Sequence, residues 1–393
     1  MSRQVVVAGV GTVPFSKPTA GRTYVQMGTE AIRLSLADAG LEYRHIRQVY
    51  AGYVYGDSCS GQRVAYESGM TGIPVINVNN NCATGSTALF LARQAVASGA
   101  VNCALAVGFE QMTAGALHNV FDDRPGPLDR FEQETNALIG DIGLPPALRY
   151  FGGAGLAHMQ QYGTKLSTFA KIRAKASRHA VNNPHALFRT ELSEDEVLAS
   201  PVLWEGVMTR LMACPPTCGA AAAIICSRDF ANRHGLIKPV RIRAQSMMTD
   251  TPSSLHAHDM RKVVGFNLTS NASEAAYDEA GIGPEDMNVV ELHDCFAHNE
   301  LISYEALGLC AEGASEAFVV DGRNTYGGDI VTNPSGGLLS KGHPLGATGI
   351  AQCAELVQQL RGQSGHGQVD GARLALQHNL GLGGACVVTI YGD

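Results

Sequence analysis

Residues 38–50, Asp-Ala-Gly-Leu-Glu-Tyr-Arg-His-Ile-Arg-Gln-Val-Tyr, lie without a gap over residues 279–291, Glu-Ala-Gly-Ile-Gly-Pro-Glu-Asp-Met-Asn-Val-Val-Glu, at an offset of 241. Ala39, Gly40, Leu41, Ile46 and Val49 meet Ala280, Gly281, Ile282, Met287 and Val290. A second match, 87–99 over 350–362 at an offset of 263, pairs two segments that each read as an amphipathic helix closed by glycine. Two matches in the same order imply a duplicated α/β unit, in which strand–helix–strand crossovers build a parallel sheet covered by helices. The expected result is two similar halves packed together.

The chain has 393 residues, too many for one small core, so two or three domains are expected. With 45% apolar and 17% charged residues it is globular, and its 45 glycines point to many tight turns. A formal charge of −7 argues against a nucleic-acid-binding protein, which needs basic surface to neutralise phosphates. Ten cysteines without a repeating framework suit free thiols in a reducing compartment, and a cytoplasmic location is expected. No apolar run reaches the roughly 18 residues of a membrane helix, so a soluble chain is expected.

Residues 5–10 read as a buried strand, and Gly9-Val-Gly11 after it mimics a dinucleotide fingerprint that fails at Pro14. Residues 24–40 read as a helix and 48–55 as a strand; further strands are expected at 220–226 and 240–247. Between them Asp122-Asp-Arg-Pro-Gly-Pro, Leu144-Pro-Pro and Asn182-Asn-Pro break regular structure and mark an inserted loop domain. The expected division is 1–114 with 201–239 as the N-terminal half, 115–200 as the insertion, and 240–393 as the C-terminal half. Within the insertion, Lys165, Lys171, Arg173, Lys175 and Arg178 follow one another with no acidic residue between them, which would attract a phosphorylated ligand or form a solvated helix face.

Cys82 lies where the asparagine run 79–81 turns into the first repeated helix. The unpaired N–H groups and positive dipole of a helix start favour a thiolate, so a nucleophile is expected here, against the blander reading of a small buried hydrophobe. His343 opens the matching helix of the second half, so a pseudo-twofold axis would set an imidazole beside the thiol. A turn residue between Gly342 and Pro344 is the alternative. His293-Asp-Cys295-Phe follows an apolar strand, but His293, Cys295 and His298 do not have a usual zinc spacing and Cys214 and Cys218 make a poor second pair, so no metal is expected. The run Gly381-Leu-Gly-Gly384 is a place where backbone N–H groups approach a ligand, or a plain glycine turn between strands.

Asn80-Asn-Cys82-Ala-Thr-Gly-Ser, His293-Asp-Cys-Phe, Gly342-His-Pro-Leu-Gly-Ala-Thr-Gly and His378-Asn-Leu-Gly-Leu-Gly-Gly together resemble the thiolase superfamily, and more closely the sterol carrier protein 2-type thiolases. The likeness spans nearly the whole chain, including Val181-Asn-Asn-Pro184 and Thr325-Tyr-Gly-Gly328. It implies a duplicated five-layered α-β-α-β-α thiolase fold, usually dimeric. It also implies Cys82 as the acylated nucleophile, His343 as its activator, Cys295 as proton shuttle, and His293 as a partner of the thioester oxygen. The implied reaction is coenzyme A-dependent cleavage of a 3-oxoacyl-CoA to acetyl-CoA or propionyl-CoA, or its reverse. Coenzyme A is a substrate, no cofactor is tightly bound, and Lys171, Arg173, Lys175 and Gly381 are the expected contacts to it. A retro-aldolase of sterol side chains and a non-catalytic acyl-CoA or lipid binder are the rival readings. Cys218 stands where the family often has Asp, a structural change near the core. The lipid-transfer domain that some relatives carry after the thiolase part has no counterpart in this sequence, so lipid carriage is not inferred from the resemblance.

Overall fold

A computed structural model describes residues 3–113, 121 and 123–392. The first residues of the expected insertion, 115–120, and Asp122 of its first break lie outside the described residues. Among the described residues ten strands form the central sheet: β1 (Val5–Thr12), β2 (Val49–Gly52), β3 (Val75–Val78), β4 (Cys103–Glu110), β5 (Gly219–Ser227), β6 (Val240–Met248), β7 (Val289–Glu291), β8 (Val331–Thr332), β9 (Leu374–Gly381) and β10 (Ala385–Gly392). Their order is β3-β2-β4-β5-β1 followed by β6-β10-β9-β7-β8, so the second five repeat the first five in mirror sequence about the β1–β6 contact. That contact is short, pairing Val6 with Arg241 and Val7 with Val240.

The sheet is not parallel as expected. In each half the strand pairs β2–β3 and β2–β4, or β7–β8 and β7–β9, are parallel, whereas β5 and β10 run antiparallel to both neighbours. The reason is plainest in the second half, where the turn of three residues between Gly381 and Ala385 is too short for a crossover and permits only a hairpin.

Seven helices matter for the argument: α1 (Tyr24–Ala39), α2 (Thr84–Ala97), α3 (Pro146–Tyr162), α4 (Leu166–Ala180), α5 (Phe266–Ala280), α6 (Ala297–Ala306) and α7 (Leu345–Arg361). The repeat seen in the sequence is physical: α1 ends at Gly40 and α5 at Gly281, both left-handed, and each is followed by a one-turn helix and a central strand. α1 packs on β1 and β5, α5 on β6 and β10, while α2 and α7 pack on each other and on strands of both halves. This gives the five layers. Along β1, Val6 and Ala8 enter the core under α1, while Val5 and Val7 enter the core around α2 and α7. A strand buried on both faces must be apolar throughout, which is what residues 5–10 are.

The insertion is far more helical than its breaks suggest. α3 and α4 pack on α6, and a hairpin of Val202–Trp204 and Met208–Thr209 closes the region. Its apolar residues, Phe151, Phe169 and Ile172 among them, share one core with Leu268, Leu301 and Leu376 of the second half.

Candidate active site

Cys82 sits in a turn built by the three asparagines. Asn81 adopts a left-handed φ of 50°, a conformation that costs energy for a residue with a Cβ and is characteristic of functional turns. Its amide donates to Leu382 O (3.2 Å), tying the nucleophile loop to the β9–β10 turn, and its Oδ1 accepts from the Cys82 thiol (3.6 Å). The backbone N–H of Asn80 donates to Thr84 Oγ1 and its side-chain amide to Thr87 Oγ1, so the first turn of α2 holds the loop from the other side. Gly381 is required here: a Cβ at that position would lie 2.3 Å from Asn80 O and 3.0 Å from the N–H of Ala83.

The helix begins at Thr84 with Ala83 as cap, so Cys82 lies just outside it. The expectation of a resting thiolate is therefore corrected. Burial pushes the thiol up to about 12, with the Glu110 carboxylate adding to the rise against the pull of a backbone hydrogen bond. Burial therefore favours a resting thiol, whose proton a base must take during reaction.

His343 is the group placed to do so. The ligating atoms of Cys82, His293 and His343 all lie within 4.8 Å of one another. The Thr348 hydroxyl donates to Pro344 O (3.0 Å) and accepts from His343 Nδ1 (2.7 Å), which leaves Nε2 as a buried lone pair with no hydrogen-bond partner among the described residues. Burial holds this imidazole neutral, its pKa pushed down to about 3. The His343 N–H donates to Thr217 Oγ1 (3.2 Å), and Pro216 bridges to His343 while Ala213 bridges to Phe296. The segment 213–217 thus clamps the His343 loop to the His293–Phe296 loop, a role that explains Cys214 without a metal: its N–H donates to Cys295 O (2.9 Å). Cys218 is buried, with its thiol donating to Met112 O (3.5 Å), a structural position.

His293 and His343 face each other edge to face with ring centroids 5.0 Å apart. His293 is held neutral by burial first and by the neighbouring His343 and His378. Its backbone N–H donates to His378 Nδ1 (3.4 Å), and its carbonyl accepts from Asn299 Nδ2 (2.5 Å). Asp294 turns away from the site and accepts from the N–H groups of Leu338 and Leu339. Cys295 is buried beside Cys214 and Cys82, and burial with those thiols and Asp294 raises its pKa well above the ordinary value. His298 is not part of the site: its Nε2 donates to Val207 O (2.8 Å) and its ring packs on Phe169.

Two of the expected coenzyme A contacts are corrected. Arg173 is buried and donates to Ser340 Oγ (2.6 Å). Lys175 is buried in an ion pair with Glu300 and also donates to Thr332 Oγ1 (2.6 Å). Neither charge is free to meet a phosphate, because a buried ammonium needs its own partners. Lys171, in contrast, is half-buried on the outer face of α4 and donates to Val320 O (3.2 Å).

Glu110 is a residue that sequence reasoning missed. It ends β4, is 1% exposed, and accepts backbone hydrogen bonds from Val54 (3.1 Å) and Tyr55 (2.9 Å) of its own half and from Gly346 (2.9 Å) at the start of α7. Burial pushes it up to about 7 although those three N–H groups pull the other way. A carboxylate ending the apolar run of residues 103–109 was the available signal.

The thiolase N-terminal domain model matches residues 5–229, and the thiolase C-terminal domain-like model matches residues 250–393. The chain belongs to the thiolase family. This thiolase-family chain is 53% identical to sterol carrier protein 2 of Homo sapiens over 396 residues, which cover 99% of it and 72% of that protein. It is 35% identical to an acetyl-CoA acetyltransferase of Methanothermobacter thermautotrophicus, with 99% of each chain covered. Among solved structures, the Ltp2-ChsH2(DUF35) aldolase superposes with a TM-score of 0.84 at 22% identity, covering 100% of this chain and 98% of that one, which shows the shared fold. Among the described residues no helix is long and apolar enough to cross a membrane.

Proposed function

We propose that this protein is a sterol carrier protein 2-type thiolase that cleaves 3-oxoacyl-CoA with coenzyme A, or runs the reverse condensation. The observation that carries the reading is the unpartnered Nε2 of His343 in a cluster with Cys82 and a second imidazole. In the cleavage direction Cys82 gives its proton to His343 Nε2 and the sulfur attacks the keto carbon. The Cα–Cβ bond breaks, its electron pair enters the thioester as an enolate, and Cys295 protonates the enolate carbon. Coenzyme A thiol then gives its proton to Cys295 and takes the acyl group from Cys82, whose departing thiolate recovers its proton from His343 Nε2.

A thiol raised by burial stays protonated until needed and is a strong base once it has donated, which suits Cys295 to both steps. Negative charge on oxygen needs fixed donors, for which His293 Nε2–H and the backbone near Cys82 and Gly381 serve. Lys171 remains the proposed phosphate contact from the basic run. Coenzyme A enters as a substrate, in a reducing, cytoplasmic setting that keeps the cysteines free. A homodimer is part of the reading, since β3 ends the sheet with one edge unpaired. Light scattering that shows only the 41.5 kDa monomer would remove that part.

The test of the reaction is Cys295→Ala. Exchange of an acyl group between a simple acyl-CoA and labelled coenzyme A needs only Cys82, His343 and the oxygen donors, and is expected to persist. Cleavage of 3-oxoacyl-CoA is expected to fall on the order of 10²–10⁴. Cleavage by Cys295→Ala at the unmutated rate would refute the shuttle, and cleavage of a 3-hydroxyacyl-CoA to a carbonyl compound without added coenzyme A would mark retro-aldol chemistry instead.

A further inference from the structure

Five side chains are joined in one directed line of hydrogen bonds behind His293. Tyr391 Oη donates to Gln377 Oε1 (2.5 Å), Gln377 Nε2 to Ser86 Oγ (2.8 Å), Ser86 Oγ to Asn379 Oδ1 (2.8 Å), and Asn379 Nδ2 to His293 Nδ1 (3.1 Å). The direction is fixed by an acceptor that cannot turn round. Gln377 Nε2 also faces Gly349 O (2.6 Å), and a backbone carbonyl obliges the facing atom to carry a hydrogen. Gln377 therefore presents its oxygen to Tyr391 and its second N–H to Ser86, whose single proton passes on to Asn379. A Cβ at Gly349 would lie 2.1 Å from Ser86 Oγ and 2.5 Å from Asn379 Oδ1, so the line runs through a gap that glycine leaves. Tyr391, Gln377, Ser86 and Asn379 are fully buried, where water does not replace a lost partner.

The end of the line has a chemical consequence. An imidazole that accepts at Nδ1 carries its proton at Nε2, whereas His343, donating from Nδ1 to Thr348, presents a lone pair at Nε2. We propose that Asn379, oriented by Ser86 and Gln377, is a positioning residue that locks His293 as an Nε2–H donor. The lock makes a Cys-His-His cluster of metal-like spacing a site for an anionic oxygen and not for a soft cation, because zinc needs a lone pair from both imidazoles. The inference rests on the oxygen-stabilising role proposed for His293 and names what enforces it.

Long-range 1H–15N correlation spectra of the full chain at pH 8 read both tautomers. The expected result is Nε2–H at His293 and Nδ1–H at His343; Nδ1–H at His293 in the unmutated protein would overturn the proposal. Asn379→Asp keeps the shape but replaces the last donor by an acceptor. Its expected results are a proton moved to His293 Nδ1, Zn2+ binding tightened about 10–100-fold in titrations with zinc chloride alone, and cleavage reduced on the order of 10²–10³. An unchanged tautomer with unchanged Zn2+ binding would overturn the assignment of Asn379. Ser86→Ala, which leaves Asn379 in place without its orienting proton, is expected to give both His293 tautomers, and a single Nε2–H form would remove Ser86 from the line. The spectra and the zinc titration need no turnover. A protein that holds the Nε2–H tautomer yet cleaves no 3-oxoacyl-CoA would refute the proposed function and leave this inference standing.

Discussion

The two halves share strand order and a central helix, yet what they place at equivalent positions differs. Val49 pairs with Leu105 as Val290 pairs with Leu376, so β4 and β9 are in register at an offset of 271 and Glu110 corresponds to Gly381. In the first half that position carries a carboxylate that reaches across to Gly346 at the start of α7. In the second it carries no side chain, and the loop of Asn80 and Ala83 at the start of α2 fills the space. Each half thus holds the helix start of the other, once by an acceptor and once by a vacancy. The lesson is that duplication supplies the meeting of two helix starts, and unlike residues at like positions supply the chemistry, a thiol from one half and imidazoles from the other.

The largest expected effect removes either half's contribution. Cys82→Ala should abolish both acyl exchange and cleavage, and His343→Ala should lower both on the order of 10²–10⁴; a His343→Ala rate equal to the unmutated one would break the division of labour. Next comes the buried ion pair through which the insertion joins the second half. Lys175→Met strands the Glu300 carboxylate and should cost about 3–5 kcal/mol in denaturant unfolding, whereas Lys171→Ala should stay within about 0.5 kcal/mol and change only the salt-sensitive KM for acyl-CoA. Equal losses for the two would contradict the separation of α4 into a buried and an outer face. Gly381→Ala against Glu110→Gln sharpens the comparison directly. The first forces the nucleophile loop to move and should cost about 1–3 kcal/mol of stability together with kcat. The second keeps the shape but leaves one oxygen, so either the Tyr55 N–H or those of Val54 and Gly346 together lose their acceptor. It should cost about 1–3 kcal/mol, with kcat falling where the Gly346 N–H at the His343 loop is released.

A pH dependence follows in which the halves pull in opposite directions. His343 and His378 of the second half are pushed by burial down to about 3, below the unfolded value near 6.5. The unfolded chain takes up protons that the native state refuses, so stability is complete above about pH 6.5 and falls toward pH 3, by about 1.4 kcal/mol per pH unit for each such histidine. Glu110 of the first half, pushed up to about 7, has the opposite sign: its contribution is complete below its unfolded value and is lost as pH rises toward 7. Unfolding monitored from pH 7 to pH 4 should show net loss on acidification, larger in Glu110→Ala, which lacks the opposing carboxyl, and smaller in His378→Asn.

Much of this was legible in the sequence. The repeat matched α1 with α5 and α2 with α7, and from it alone the approach of Cys82 and His343 followed. What was hidden depended on contacts distant in the chain. α3 carries Gly152, Gly153 and Gly155, poor helix formers that lie against Trp204, Met260 and His298, where a side chain would collide. Arg173 and Lys175 read as solvated because Ser340 and Glu300, which bury them, are more than a hundred residues away. The dipole argument for a Cys82 thiolate failed because burial opposes it more strongly than a helix start one residue away supports it. Asn379, which the sequence offers only as one member of the His378–Gly384 run, acquires meaning only once Ser86 is seen beside it.

The central claim is that Cys82 becomes acylated. Mixing the protein with a simple acyl-CoA, quenching in acid and mapping the adduct by peptide mass spectrometry tests it directly. The predicted result is one acyl group on Cys82, absent from His343→Ala at the same early time and removed by added coenzyme A. An adduct on Cys214 or Cys295 with Cys82 unmodified, or no covalent adduct while 3-oxoacyl-CoA is being cleaved, would contradict it.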